Sequence, residues 1–338
     1  MAFRLPVGRG GQILLGLALL ILVYAFKAFT VPILEKDSVA TLQGIAVNGD
    51  RQYLLIRGRN RENPVLLFVH GGPGMPAMFL AHSFQRELER DFVMVHWDQR
   101  AAGKSFATGT DPSTISTSQY LDDLFVVVDR LRQQFGQDKI YLLGHSHGSY
   151  LGVLAASQKP ELFTAYIGVG QVVDEEQAFE YQKTELTRRG AAVGIGPETE
   201  LTKANIETFL FKAGGGLFCC DSYTPLLLTG LMAPEYSLMD AYNVKRGSAF
   251  SSRHMRFDVI PGSIGDAIQE LSIPVYLISG RYDLTTPTPM SRAFFEQLDA
   301  PKKAFFEIDN AAHFPFYEQP ERFAAVMRQI RAETSGFD

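Results

Sequence analysis

Cysteine is scarce in this chain: 338 residues hold two, and they are neighbours, Cys219 and Cys220. Adjacent cysteines seldom bridge each other, because the Cα separation and the Cβ directions are wrong for it. A disulfide scaffold, a zinc site built on spaced thiolates and a Cys-x-x-Cys redox motif are therefore all excluded. Both thiols read as buried or partly buried. Basic clusters are also missing. With a formal charge of −5 and no Lys/Arg run suited to phosphates, nucleic acid is not expected as a partner. Internal repeats and low-complexity tracts are absent too, which removes solenoids and disordered linkers from consideration. His145 and His147 stand two residues apart, without an acidic or thiol ligand nearby, so no metal site is expected. What is present is 46% hydrophobic and 20% charged residues, enough for one substantial enzyme core.

Within that composition, Gly144-His145-Ser146-His147-Gly148 carries the most information. It follows an apolar run, Lys139 to Leu143, that reads as a buried strand, and precedes Ser149 to Ala156, which reads as a helix. Gly-x-Ser-x-Gly at a strand-to-helix turn is a nucleophile elbow, in which a strained serine lifts its hydroxyl towards substrate. Only residues without bulk fit two positions either side of it. A serine hydroxyl needs a base, and the base needs an orienting acid, in the chain order Ser, Asp, His. The strand Ile273–Gly280 runs into a loop with Asp283, and the strand Lys303–Ile308 into a loop with His313. Both fall past strand ends, where the loops of an open parallel sheet gather around a ligand. Asp283 is read as the acid in preference to Asp309, which lies only four residues before His313. An oxyanion hole needs two backbone N–H groups. His147, after the nucleophile, supplies one. Gly72 supplies the other, from His70-Gly71-Gly72-Pro73-Gly74 at the end of the strand Asn63–Val69.

On these residues the chain resembles the prolyl iminopeptidase family of α/β-hydrolases. His70-Gly71-Gly72-Pro73-Gly74, Asp98-Gln99-Arg100, the Ser146 elbow, Gly280-Arg281-Tyr282-Asp283 and the segment His313 to Glu321 carry the likeness, which extends from about residue 41 to 332. The resemblance implies an α/β-hydrolase fold, no cofactor, and cleavage of an N-terminal residue, typically proline, from a peptide. Three positions depart from the family pattern: His145 and His147 stand where the family elbow has glycine and tryptophan, and Ala101 replaces the glycine after Asp-Gln-Arg. Asp98, Gln99 and Arg100 read as a buried ion-pair network supporting the loop.

The expected fold is a mostly parallel central sheet flanked by helices, with an inserted, mainly helical cap and an N-terminal transmembrane helix. Residues 1–34 form the anchor, 35–171 the first part of the core, 172–265 the cap and 266–338 the second part. Gly10 to Phe26 is a 17-residue stretch without charge, preceded by Arg4 and Arg9. Lys27 can snorkel so that Ala28–Leu34 extend the span, and such a segment crosses a bilayer with its N-terminus in the cytoplasm, leaving the catalytic domain outside. A signal peptide cleaved after Val23-Tyr24-Ala25, and hence secretion, is the alternative. Within the cap, Gly214-Gly215-Gly216 reads as a hinge or a place of close approach to ligand. Glu175, Glu176 and Glu180 stand near the site mouth as carboxylates for a substrate amino group, or as a solvated helix face. The chain thus reads as a serine hydrolase acting through an acyl-enzyme on a small molecule or short peptide. An aminopeptidase resembling prolyl iminopeptidase is the first reading, a carboxylesterase for small lipophilic esters the second, and a non-catalytic binding protein the third. The sequence does not give the oligomeric state.

Overall fold

The structure, a computed structural model, describes Leu14, Gly16 and residues 28–260 and 262–336. The charge-free part of the expected membrane span, 10–26, lies outside the described residues except at Leu14 and Gly16; its expected continuation past Lys27, residues 28–34, is described and is not helical, so it does not lengthen a spanning helix. Among the described residues no helix is long and apolar enough to cross a membrane.

Eight strands form one sheet: β1 (Val39–Val47), β2 (Asp50–Gly58), β3 (Val65–Val69), β4 (Val93–Asp98), β5 (Ile140–His145), β6 (Phe163–Val169), β7 (Val275–Gly280) and β8 (Lys303–Ile308). Their spatial order is β1-β2-β4-β3-β5-β6-β7-β8. The β1–β2 hairpin turns through Asn48 and Gly49, both at positive φ (43° and 80°), the backbone that a two-residue turn matching strand twist requires. β2 runs antiparallel to β4, and every pairing from β4 across to β8 is parallel. This is the α/β-hydrolase architecture expected from the sequence.

The parallel strands are buried on both faces, which is why they read as continuous apolar runs. Alternate residues serve opposite layers. Val65, Leu67 and Val69 of β3 join one core cluster with Val93, Val95 and Trp97. Leu66 and Phe68 join the other, with Met94, Tyr141 and Leu143. Helix α1 (Thr117–Phe135) packs on the first layer through Leu121, Leu124, Val128 and Leu131. Its first turn is capped by Ser116 and its end by Gly136 at φ 63°. Helix α2 (His147–Gln158) springs from β5 and is buried almost throughout.

Between β6 and β7 the chain adds α3 (Glu175–Arg189), α4 (Ile206–Lys212), α5 (Thr224–Leu231) and α6 (Leu238–His254). Leu186, Val193, Ile206 and Leu210 form a small cluster that closes on Leu284, just after Asp283. Helices α7 (Thr288–Gln297) and α8 (Pro320–Thr334) complete the flanks. Gly214-Gly215-Gly216 corrects the sequence expectation of a hinge. The Gly215 carbonyl accepts from Leu284 N–H and the Gly216 carbonyl from His313 N–H, both at 3.1 Å. A Cβ at Gly215 would stand 2.5 Å from the Leu284 side chain. This stretch braces the loops that carry Leu284 and His313. Cys219 is exposed rather than buried, and Cys220 half-buried; neither is in a disulfide.

Five histidines lie buried in or beside this core, His70, His96, His145, His147 and His313, and burial depresses the pKa of the first four. Burial pushes His70 down to about 4, His96 and His147 to about 3, and His145 well below the ordinary 6.5. Each is therefore neutral when folded, while the unfolded chain protonates it below about 6.5. An imidazole with a depressed folded-state pKa contributes stability above 6.5 that is lost as pH falls towards the folded value. Asp98, raised by burial to about 7, works in the opposite sense and offsets one of the four. Stability is thus expected to drop steeply between pH 6.5 and 4, each net histidine adding up to about 1.4 kcal/mol per pH unit. Urea midpoints at pH 7.5 and 5.0 test this. His96→Leu should flatten the dependence, and equal midpoints at both pH values would overturn the account.

Candidate active site

β5 ends at His145, and α2 begins at His147. Ser146 between them sits at φ 55°, ψ −125°, a conformation costly for any residue with a Cβ. Sterics explain the flanking glycines. A Cβ at Gly144 would meet the Gly148 carbonyl oxygen at 2.2 Å, and one at Gly148 the Val69 carbonyl oxygen at 2.0 Å. The second glycine thus lets α2 press on the end of β3. That contact also brings the β3 loop over the serine: a Cβ at Gly71 would lie 2.7 Å from the Ser146 Cβ.

The structure brings Asp283 and His313 together from loops 30 residues apart, with His313 Nδ1 2.9 Å from Asp283 Oδ2. Asp283 is itself held. Its Oδ1 accepts from the N–H groups of Thr285 (2.8 Å) and Thr286 (3.0 Å), and its Oδ2 from the Thr286 hydroxyl (2.8 Å). Three donors on one buried carboxylate fix the oxygen that faces the imidazole. Asp309, the rival acid, pairs at the surface with Arg281. The His313 backbone is pinned by Gly216, and its carbonyl accepts a hydrogen bond from His145 Nε2 at 2.8 Å. Glu318 holds the neighbouring Ala312 N–H. The role of His145 as a brace for the His313 loop was not legible in sequence, since it rests on a contact 168 residues away.

The glycine loop has its own clamp. His70 Nδ1 donates to the Gly71 carbonyl, and Nε2 accepts from the Gln99 N–H. The Gln99 side chain donates to the His70 carbonyl at 2.9 Å. Next to it, Arg100 makes a buried two-pronged pair with Asp123 (2.8 and 3.0 Å). Asp98 accepts from Tyr236 Oη of the insertion and from the Lys104 N–H. The expected supporting network is there, and it reaches into the insertion. Ala101 adopts φ 58°, which accounts for the family's preference for glycine at this position. His147, in place of the family's tryptophan, packs its ring against Tyr120, Tyr150 and Phe257. His145 and His147 thus point to different places.

Among the described residues, the N–H groups of Gly72 and His147 have no acceptor within the protein. Ser146 and Gly72 line two cavities. The larger, about 620 Å³, also takes in His313, Glu207, Tyr223, Leu226 and Lys245. The smaller, about 250 Å³, takes in His147, Gln171, Glu175, Lys203 and Met290. Of the three glutamates read from sequence, only Glu175 enters a cavity with Ser146; the surrounding protein raises its pKa although its surface remains exposed at the rim. Glu176 pairs with Lys203, and Glu180 with Lys183, on the solvent side of α3. Glu207, on α4, was missed. It accepts a hydrogen bond from Tyr223 Oη at 2.7 Å and faces the larger cavity. No local motif marks it, because its place is set by Tyr223, 16 residues on, and by how the insertion closes on the cavity.

The model of the alpha/beta hydrolase family matches residues 66–326. The chain belongs to that family. It is a hydrolase of the prolyl iminopeptidase-like group. A Bacillus subtilis protein named "Probable aminopeptidase YbaC" is 31% identical over 318 residues, covering 87% of this chain and 96% of the relative. A proline iminopeptidase of Heyndrickxia coagulans is 25% identical, covering 84% and 96%. Among solved structures, a proline iminopeptidase-related protein of Thermus thermophilus superposes with a TM-score of 0.62 at 18% identity, covering 89% of this chain and all of that one. At that identity the likeness speaks for the fold.

The elbow yields a stability prediction. Gly148→Ala would drive a methyl into the Val69 and His70 carbonyls, the latter 2.6 Å away, and backbone cannot give way cheaply. Destabilisation of about 3 kcal/mol or more is expected in urea unfolding. An alanine variant within about 0.5 kcal/mol of the parent would show that the steric reading of the elbow is wrong.

Proposed function

We propose that the protein is a serine hydrolase with Ser146 as nucleophile, His313 as general base and acid, and Asp283 as the group that orients His313. The observation that carries this reading is that Ser146, Gly72 and His313 open onto one cavity, with Asp283 behind His313. The Ser146 hydroxyl attacks a substrate carbonyl carbon as His313 Nε2 takes its proton. Asp283 holds the Nδ1–H and stabilises the imidazolium without itself becoming protonated. The N–H groups of Gly72 and His147 receive the oxyanion of the tetrahedral intermediate. His313 then protonates the leaving group, and the acyl-enzyme forms. Water, deprotonated by the same imidazole, attacks that ester and frees Ser146.

The substrate reading is an aminopeptidase for proline or a similar N-terminal residue. Its support is the pair of relatives named as aminopeptidase and proline iminopeptidase, together with Glu207 in the cavity. Glu207 is the carboxylate we assign to the free α-amino group of the substrate, with Tyr223 Oη holding it in place. The α3–α6 insertion, residues 172–265, serves as the cap over the site. A carboxylesterase is the second reading, favoured by the apolar wall of Met75, Phe79, Leu80 and Leu226 in the same cavity. For localisation we propose a single membrane-spanning segment at 10–26, with the N-terminus cytoplasmic and the catalytic domain outside. The charge-free run after Arg4 and Arg9 supports this.

Parent and Ser146→Ala proteins assayed on proline β-naphthylamide, its N-blocked counterpart and p-nitrophenyl esters test the reading. Ser146-dependent turnover of the free-amine prolyl substrate is expected, with none of its N-blocked counterpart. Turnover of esters without amide cleavage would replace the aminopeptidase with the esterase. Failure of a fluorophosphonate to label the folded parent would remove the hydrolase mechanism. Asp283→Asn should lower kcat by roughly 10⁴, since the amide presents the wrong partner to Nδ1–H. Glu207→Gln should raise KM for the free-amine substrate at least about tenfold while leaving ester hydrolysis near the parent value. Parallel losses on both substrates would remove Glu207 from amine recognition.

A further inference from the structure

Helix α5, Thr-Pro-Leu-Leu-Leu-Thr-Gly-Leu, carries no charge, and its only polar side chains are two threonines, of which Thr229 bonds Tyr317 Oη. Its inner side is enclosed: Leu226 is fully buried in the Ser146 cavity, and a Cβ at Gly230 would collide with the Phe79 ring. Its outer side, and the turn into α6, carry Leu227, Leu228, Met232, Leu238, Met239 and Tyr242, all exposed. Leu228, Met232 and Met239 expose 60%, 68% and 61% of their surface, so this is more than a scatter of single apolar residues. Leu227 belongs to both sides, being exposed and also lining the cavity. Ala241 lines the cavity next to exposed Tyr242. The space above Ser146 therefore reaches this apolar face between α5 and α6.

A second observation says what covers the face. The charge-free run 10–26 ends three residues before Phe29, whose N–H donates to the Pro234 carbonyl (3.3 Å), next but one to Met232. The following residues are fastened as well, Arg57 donating to Thr30 Oγ1 (2.6 Å) and to the Val31 carbonyl, and pairing with Glu89. Three residues span at most about 11 Å, so the run 10–26 joins the folded domain beside this face. Phe29 and Val31 are themselves exposed there.

We infer that the face made by Leu227, Leu228, Met232, Leu238, Met239 and Tyr242 rests in the interfacial layer of the membrane in which residues 10–26 are anchored, and that the Ser146 cavity takes substrates that partition into that bilayer. The inference rests on the anchoring proposed for 10–26. It does not depend on whether the bond cleaved is an amide or an ester. A segment held in the bilayer at one point of the domain brings that point's surroundings to the headgroup level, and an apolar face there is buried without a protein partner. Amphiphiles then reach the cavity along α5 without crossing water.

The test uses the full chain in phosphatidylcholine vesicles. The single native tryptophan, Trp97, is buried in the core, so a tryptophan introduced as Leu228→Trp or Met239→Trp reports on the face alone. Its emission should shift to the blue, and vesicles of brominated lipid should quench the added signal, as expected for a side chain at the acyl boundary. Flotation of the parent with vesicles is measured separately. A chain that does not float loses the anchor, and the inference falls with it. A chain that floats while both tryptophans stay unquenched keeps the anchor and overturns the docking face. Blue-shifted but unquenched emission overturns it too, since protein would then cover the face, either residues 10–26 folded back or a second copy. In the kinetic arm, Leu228→Glu/Met239→Glu should lower turnover of a long-chain ester embedded in vesicles at least about tenfold and leave soluble p-nitrophenyl acetate within about twofold. The neutral pair Leu228→Gln/Met239→Gln controls for misfolding. Equal losses on both substrates would show that substrate does not enter from the bilayer.

Discussion

Ser146 is held at φ 55°, ψ −125° by contacts that leave no room for a side chain at Gly144 or Gly148. The structure depends on that steric constraint more than on any other. Because Gly148 lies against the ends of β3, α2 must leave β5 at a fixed angle, and the serine is displayed at the strand ends. The same closeness sets the His70–Gly74 loop against the serine. Strain at one residue is borne because the strands on both sides are buried and fully paired. A looser junction would relax the serine into an ordinary helical start and lose the site.

Around the elbow, polar groups are wired in a core that excludes water. Gln99 and His70 satisfy each other and hold the glycine loop, while Arg100 and Asp123 settle their charges in a two-pronged pair. Three donors grip Asp283, and His145, Gly216 and Glu318 hold the loop of His313. Such wiring preorganises a site, because a carboxylate or carbonyl already fully bonded does not rearrange when charge develops nearby. It also makes the fold acid-sensitive, since the buried histidines stay neutral only while the protein is folded.

The helices between β6 and β7 do two jobs at once. Their inner surfaces close on Leu284, on Phe79 and, through Tyr236, on Asp98, so the insertion is coupled to the loops of the core. Their outer surface on α5 and α6 is apolar beside the point where the chain leaves for residues 10–26. The proposed bilayer contact would place the route to Ser146 and the anchor on the same side of the molecule. That arrangement suits a hydrolase whose substrates are amphiphilic, whichever acyl bond it cleaves.

Sequence alone determined what local rules govern. The elbow needs glycines at two fixed offsets, buried parallel strands need apolar runs, and an acid and a base are sought past later strands; Ser146, Asp283 and His313 were legible as candidates for those reasons, and the fold sets Asp283 and His313 2.9 Å apart. Tertiary structure decided whatever depends on distant segments meeting. It turned Glu176 and Glu180 to solvent and brought Glu207 into the cavity instead, because the packing of the insertion leaves no short-range pattern. It made Gly214–Gly216 a brace between two loops, where glycine content by itself suggested a hinge. The physical reason is the same in each case: steric and periodic constraints act between residues close in the chain, whereas a carboxylate's environment is set by whatever the rest of the fold packs against it.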